Sequence, residues 1–168
     1  MRKLLIIIAA LAALGVGVSA YALWQHYAPL GAAFCNLGET LSCDLVNKSA
    51  FSEVFGIPVA GIGIAGYLAL FALGALAESR RSQFIAPPPA GRGSERGWGN
   101  QRTLLCLLLV MALAGFGFSA YLTYIEFFVI GAICILCVTS QVLIFMITVA
   151  TGFAYRSARW GATDVISP

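Results

Sequence analysis

The sequence predicts an all-α membrane protein: a four-transmembrane-helix bundle whose outer loop carries a short amphipathic half-helix. Three observations lead there. Hydrophobic residues make up 60% of the 168-residue chain and charged residues only 10%, whereas soluble domains carry about 25% charged residues. Four apolar runs each reach the ~20 residues needed to cross a hydrocarbon core ~30 Å thick. Nine of the ten basic residues fall on one side of those runs. Such a chain is not a soluble enzyme, a disordered tail or a nucleic-acid binder.

The runs cover residues 4–24, 57–77, 103–125 and 127–150. In lipid, only helices and closed barrels satisfy their own backbone polar groups. None of the runs shows the alternation of a barrel strand. Arg2 and Lys3 precede the first run, and Arg80, Arg81, Arg92, Arg96 and Arg102 lie between the second and third. Arg156 and Arg159 follow the fourth, and Lys48 alone lies opposite. By the positive-inside rule, both termini and the 81–102 linker are cytoplasmic, and the 25–56 loop faces outward. The proline- and glycine-rich stretch from Ala86 to Ser94 reads as a flexible linker with no packed core. The third and fourth spans meet at a tight outer turn near Glu126, and residues 156–168 form a cytoplasmic tail. The start of the chain, through Val18-Ser19-Ala20, also fits a cleavable secretory signal. Continuation of the run to Tyr21 and Trp24, a pair suited to an interfacial belt, favours a retained span. No Asp, Glu, Lys or Arg falls inside any run, so an ion or proton pathway is not expected. The small residues Gly61, Ala65 and Ala69 suggest a close helix contact.

Five cysteines leave at least one outside any intramolecular pair. Cys35 and Cys43 lie in the outer loop. Cys134 and Cys137 form Cys-Ile-Leu-Cys in the fourth run, with Cys134 ~12 Å beyond Glu126 at ~1.5 Å per helical residue. An outer face in the periplasm or the lumen of the endoplasmic reticulum supports disulfides. Cys106, near the cytoplasmic end of the third run, reads as a small buried hydrophobe. A Cys-x-x-Cys in a helix can close a labile disulfide, ligate metal or merely pack. Metal is disfavoured because a closed zinc site takes four N or S ligands, and the single histidine, His26, suits the membrane interface. The second outward pair favours redox exchange, in which a thiolate attacks a disulfide it can reach. Electrons arriving at Cys137, deeper in lipid, need an apolar two-electron acceptor, and a membrane quinone is the natural candidate. Phe116, Phe118, Tyr121 and Tyr124 could flank its ring, although core packing explains such a stripe equally well.

The ordered set of Cys35-x7-Cys43, Ser49, Phe55-Gly-Ile-Pro58 and Cys134-Ile-Leu-Cys137 across four spans resembles the vitamin K epoxide reductase family. The resemblance covers nearly all of residues 1–155, which would form one domain. Bacterial members of that family are quinone-linked disulfide-forming enzymes of the inner membrane. The resemblance implies that Cys35 exchanges with a thioredoxin-fold (DsbA-like) partner and that Cys43 relays electrons to Cys134. It also implies that Cys137 faces the quinone, ubiquinone or menaquinone, and that Ser49, on the short loop helix, supports the site by hydrogen bonding. An ordinary capping hydroxyl is the plainer reading of Ser49. The segment from Asp44 to Phe55 suits a half-helix on the bilayer surface. Two departures set the chain apart from the animal enzymes. No asparagine occurs in residues 56–66, and Gln141 stands where those enzymes carry a tyrosine. Reduction of vitamin K or its epoxide is thereby disfavoured. With few residues after Ala150, the redox partner is expected to be a separate protein. A structural four-span protein with only a loop disulfide is the alternative from another class.

Overall fold

The computed structural model describes residues 2–31, 33–36, 38, 40–85 and 95–160. Its helices are α1 (Arg2–Tyr27), α2 (Cys43–Asn47), α3 (Val59–Ile85), α4 (Glu95–Ile125) and α5 (Ile135–Trp160). All but α2 are long and apolar enough to cross a membrane, over Arg2–Tyr27, Val59–Ser79, Gln101–Ile130 and Ile135–Ala158. The four expected spans are present, with shifted ends. Helices α3 and α4 run into the 81–102 linker from both sides, because backbone hydrogen bonding continues past the apolar residues that announce a span. The stretch from Ala86 to Ser94, Glu39 and the tail beyond Trp160 lie outside the described residues.

The largest departure from the sequence reading is between the last two spans. Residues 127–134 do not begin the fourth helix. Instead α4 widens into one π turn, Glu126–Ile130, of the kind that often marks functional sites. Gly131 then takes a left-handed conformation (φ 69°), and its N–H returns to the Glu126 carbonyl at 3.0 Å. The turn therefore sits at Gly131, beyond Glu126, and α5 starts only at Ile135. The segment from Asp44 to Phe55 is likewise less helical than its pattern suggests. After α2 comes a 3-10 turn, Ala50–Ser52, and then a hairpin of β1 (Glu53–Val54) and β2 (Ile57–Pro58). Phe55 and Gly56 both have positive φ, as a two-residue hairpin turn of the right twist requires.

The four long helices close a ring in which α1 packs on α3 and α5, and α4 on α3 and α5. Their shared core holds Leu5, Ile8 and Ala12 of α1, Leu70 of α3, Leu105 and Leu108 of α4, and Ile144 and Ile147 of α5. Leu14, Leu68, Val110 and Phe145 stay exposed on the outer faces, as expected of helices solvated by lipid. The α1–α3 contact runs through Gly15, Gly63 and Tyr67. It does not run through the small row at Gly61, where an added Cβ would meet nothing within 4 Å, and Ala65 is exposed. A Cβ at Gly15 would enter the Tyr67 ring, and one at Gly63 would stand 2.9 Å from Ser19 Oγ. Tyr67 in turn donates its hydroxyl to the Ser140 carbonyl at 2.8 Å, tying α3 to α5.

Thermal unfolding in detergent tests this packing. Gly15→Val should destabilise the bundle by roughly 1–3 kcal/mol, the usual cost of overpacking. Gly61→Ala should leave the midpoint unchanged or raise it, since Ala is the better helix former.

Candidate functional site

The site is assembled from the outer loop and from the break between α4 and α5. Ser42 caps α2 through its Oγ, which accepts from Leu45 N–H at 3.3 Å. Asp44, in the first turn of α2, is the hub of the loop. Its Oδ2 accepts from Gly31 N–H at 2.6 Å and from the Asn36 amide at 2.7 Å. Asn36 Oδ1 accepts in return from Asp44 N–H at 3.3 Å and from the Ser42 hydroxyl at 3.2 Å. Lys48 donates to the Ala28 carbonyl at 2.6 Å and lies 3.6 Å from Asp44 Oδ1. That second distance is too long for a hydrogen bond, so the contact acts through charge. Within this frame Cys35 and Cys43 form a disulfide with their Cα atoms 5.7 Å apart.

The loop is bound to the break by backbone. Ile133 N–H donates to the Thr40 carbonyl at 2.8 Å, and Leu41 pairs with Ile133 in a parallel bridge. Cys134 follows at once, and its carbonyl accepts from Val138 N–H at 3.0 Å in the first turn of α5. The residue therefore stands at the amino end of the helix. It is level with Glu126, whose Oε2 accepts from Cys134 N–H at 3.4 Å, and not buried one or two turns below it. Cys35, Cys43 and Cys134 are all about 1% exposed or less and share one apolar cluster with Ala22, Val46 and Leu136, against which Cys137 packs. Cys134 and Cys137 are free thiols and interact with each other. All four cysteines singled out by the sequence thus converge. Cys106 does not join them. It is exposed on α4, facing lipid and not buried as its sequence context suggests.

A cavity of about 110 Å³ opens beside Cys137. Its wall includes Ser19, His26, Asn47, Ser49, Ser119, Thr123, Glu126 and Ser140, set among apolar side chains. Ser49 is therefore at the site, and its hydroxyl donates to the Val46 carbonyl at 2.8 Å, holding the end of α2. The aromatic stripe of α4 is not. Phe118, Tyr121 and Tyr124 are exposed, and Phe116 packs against Phe145 with ring centres 5.7 Å apart. The opposite face of α4, with Ser119 and Thr123, lines the cavity instead. His26 is more than an interfacial ring: Nδ1 lies 2.6 Å from the Asn47 carbonyl and Nε2 3.2 Å from Glu53 Oε1. Two residues of the site escape the sequence reading, which has Glu126 only as a turn marker. The Asn47 side chain is buried, and its Nδ2 has no hydrogen-bond partner. Glu126 is only 2% exposed and touches Cys137 as well as Cys134. Its signal was available, because a lone carboxylate in a continuous apolar stretch marks a functional position by default.

A closed disulfide resting on two free thiols, at one end of a four-helix membrane bundle, defines the class of membrane thiol oxidoreductases. A family model described as the vitamin K epoxide reductase family matches residues 6–151. The chain belongs to that family.

Burial alone would raise the Asp44 carboxyl, but the Gly31 N–H, the Asn36 amide and the Lys48 ammonium hold it below the ordinary value of 3.8. The folded-state value lies below the unfolded one. The contribution to stability is therefore full above the unfolded value and lost as pH falls through the folded one. Reduction of Cys35–Cys43 by a phosphine, measured relative to a small unstrained disulfide at the same pH, should keep a constant ratio from neutral pH down to about 4 and rise below it. Asp44→Asn should remove that dependence and speed reduction roughly tenfold at neutral pH, in line with the loss of a charged hydrogen bond.

Proposed function

We propose that this protein oxidises the dithiol of a separate secreted thioredoxin-fold (DsbA-like) partner and passes the two electrons through its cysteine pairs to a membrane quinone, supporting disulfide-bond formation. The observation that carries this reading is the convergence of the loop disulfide and the Cys134–Cys137 thiol pair beside a cavity. In the proposed sequence, Cys35 exchanges with the partner, which breaks the loop disulfide and releases Cys43. Once the acceptor has oxidised Cys134 and Cys137 to a disulfide, the freed Cys43 thiolate attacks Cys134, breaking the Cys134–Cys137 bond and releasing Cys137, which faces the electron acceptor. Each exchange breaks one S–S bond and forms another, so only the oxidation of Cys134 and Cys137 needs an oxidant.

A quinone would supply that two-electron sink, and its potential sets the direction: ~30 mV corresponds to ~1.4 kcal/mol for a two-electron couple. The residues fit such a ring. The wall beside Cys137 is largely apolar, and the unpartnered Asn47 Nδ2 offers a donor for a carbonyl oxygen. Ser49 keeps Asn47 in place by fixing the end of α2. The charge asymmetry of the chain supports cytoplasmic termini and a site on the extracytoplasmic side of a bacterial inner membrane. Ubiquinone and menaquinone are both suitable acceptors.

Cys134→Ala and Cys137→Ala should each abolish quinone reduction driven by a reduced partner, although the Cys35–Cys43 disulfide still forms before the partner is added. Turnover in either variant would sink the assignment. In Cys35→Ala, mass-spectrometric mapping should find a Cys43–Cys134 bridge.

A further inference from the structure

We infer that Glu126 is the proton carrier of the Cys134–Cys137 thiol pair, accepting the thiol protons as the pair is oxidised and releasing them to the reduced acceptor. The carboxyl group is 2% exposed at the end of a membrane span. Its Oε2 lies 3.4 Å from Cys134 N, its side chain also interacts with the Cys137 thiol, and it lines the same cavity as Cys137. Among the described residues no Lys or Arg pairs with it. A carboxyl group at this depth with no cation beside it is costly and poorly explained by packing.

Every other group around the cavity is less suited to the task. From α1 comes His26, but both of its ring nitrogens are engaged, one by Asn47 and the other by Glu53. The loop presents the neutral Asn47 and Ser49, α3 presents Val59 and Ala60, and α4 presents Ser119 and Thr123. The remaining titratable groups facing Glu126 are the two thiols themselves.

Oxidation of the pair breaks two S–H bonds, forms the Cys134–Cys137 bond and releases two electrons and two protons. The electrons go to the acceptor. Glu126 takes the Cys137 proton first and the Cys134 proton second, and delivers each to an acceptor oxygen. It ends the cycle as it began. The identity of the acceptor rests on the quinone reading above, whereas the role of Glu126 at the thiols does not.

The test uses the full chain in proteoliposomes, reduced beforehand with dithiothreitol and mixed with a short-chain benzoquinone. Glu126→Gln should slow quinone reduction by roughly 100-fold or more, the usual scale of general acid–base catalysis. Opening of Cys35–Cys43 by dithiothreitol should be unaffected. A second readout needs no turnover: reduced-minus-oxidised infrared difference spectra should show a carboxyl band that E126Q lacks. Glu126→Asp, one methylene shorter, serves if the Gln variant loses its loop disulfide, and should give an intermediate rate and a displaced band. E126Q within about threefold of wild type, against the loss expected of a general acid–base group, would overturn the inference. So would a wild-type infrared band in E126Q, or wild-type behaviour of E126D. Wild-type protein that reduces no quinone would defeat the parent reading instead, and the infrared comparison would still judge Glu126.

Discussion

The arrangement depends on a short backbone seam between the outer loop and the break in the fourth apolar run. Residues 131–134 are not helical, so their amides and carbonyls find few partners within their own segment. With Ala132 and Cys134 buried from water, such groups must be satisfied by protein. The loop meets part of this need through the Thr40 carbonyl, which accepts from Ile133 N–H, and through the Leu41–Ile133 pairing. The same seam fixes the chemistry, because Cys43 follows Leu41 by two residues and Cys134 follows Ile133 by one. Satisfying the backbone and bringing two sulfur-bearing segments together are one structural event.

Much of this was legible in the sequence. Hydropathy marks the spans because a bilayer imposes a length and an apolar character that little else mimics. The cysteine spacings mark the four thiols that the fold brings together. What stayed hidden is what a window of apolar residues cannot distinguish. Phe127, Phe128 and Val129 read as the start of a span whether they enter α5 or, as found, extend α4 outward as a π turn. Moving the turn from Glu126 to Gly131 moves Glu126 from the membrane rim into the site. It also brings Cys134 from mid-helix to the helix start. Asn47 was hidden for another reason: it looks like an ordinary polar residue of a surface half-helix until the loop folds down over the cavity. The aromatic stripe of α4 misled in the opposite direction, since exposure to lipid and contact with a ligand call for the same residue types.

The two sulfurs of the loop disulfide are held in different ways, and that difference suits a directional relay. Cys43 opens α2, with the helix and its Ser42 cap holding it beside Cys134. Cys35 lies in irregular chain, secured by its neighbour Asn36 on the Asp44 hub and by Phe34, whose ring centre is 5.6 Å from that of Tyr21. Phe34 is otherwise 65% exposed, while Cys35 itself is only 1% exposed. A soluble dithiol therefore cannot reach Cys35 until these few side-chain contacts release, a local opening far smaller than unfolding of the bundle. Once the disulfide is cut, nothing covalent returns Cys35 to the cluster, whereas Cys43 stays where α2 places it. In the proposed relay, the incoming sulfur would leave with the loop and the relaying sulfur would remain with the membrane pair, an asymmetry set by where regular structure begins in this loop.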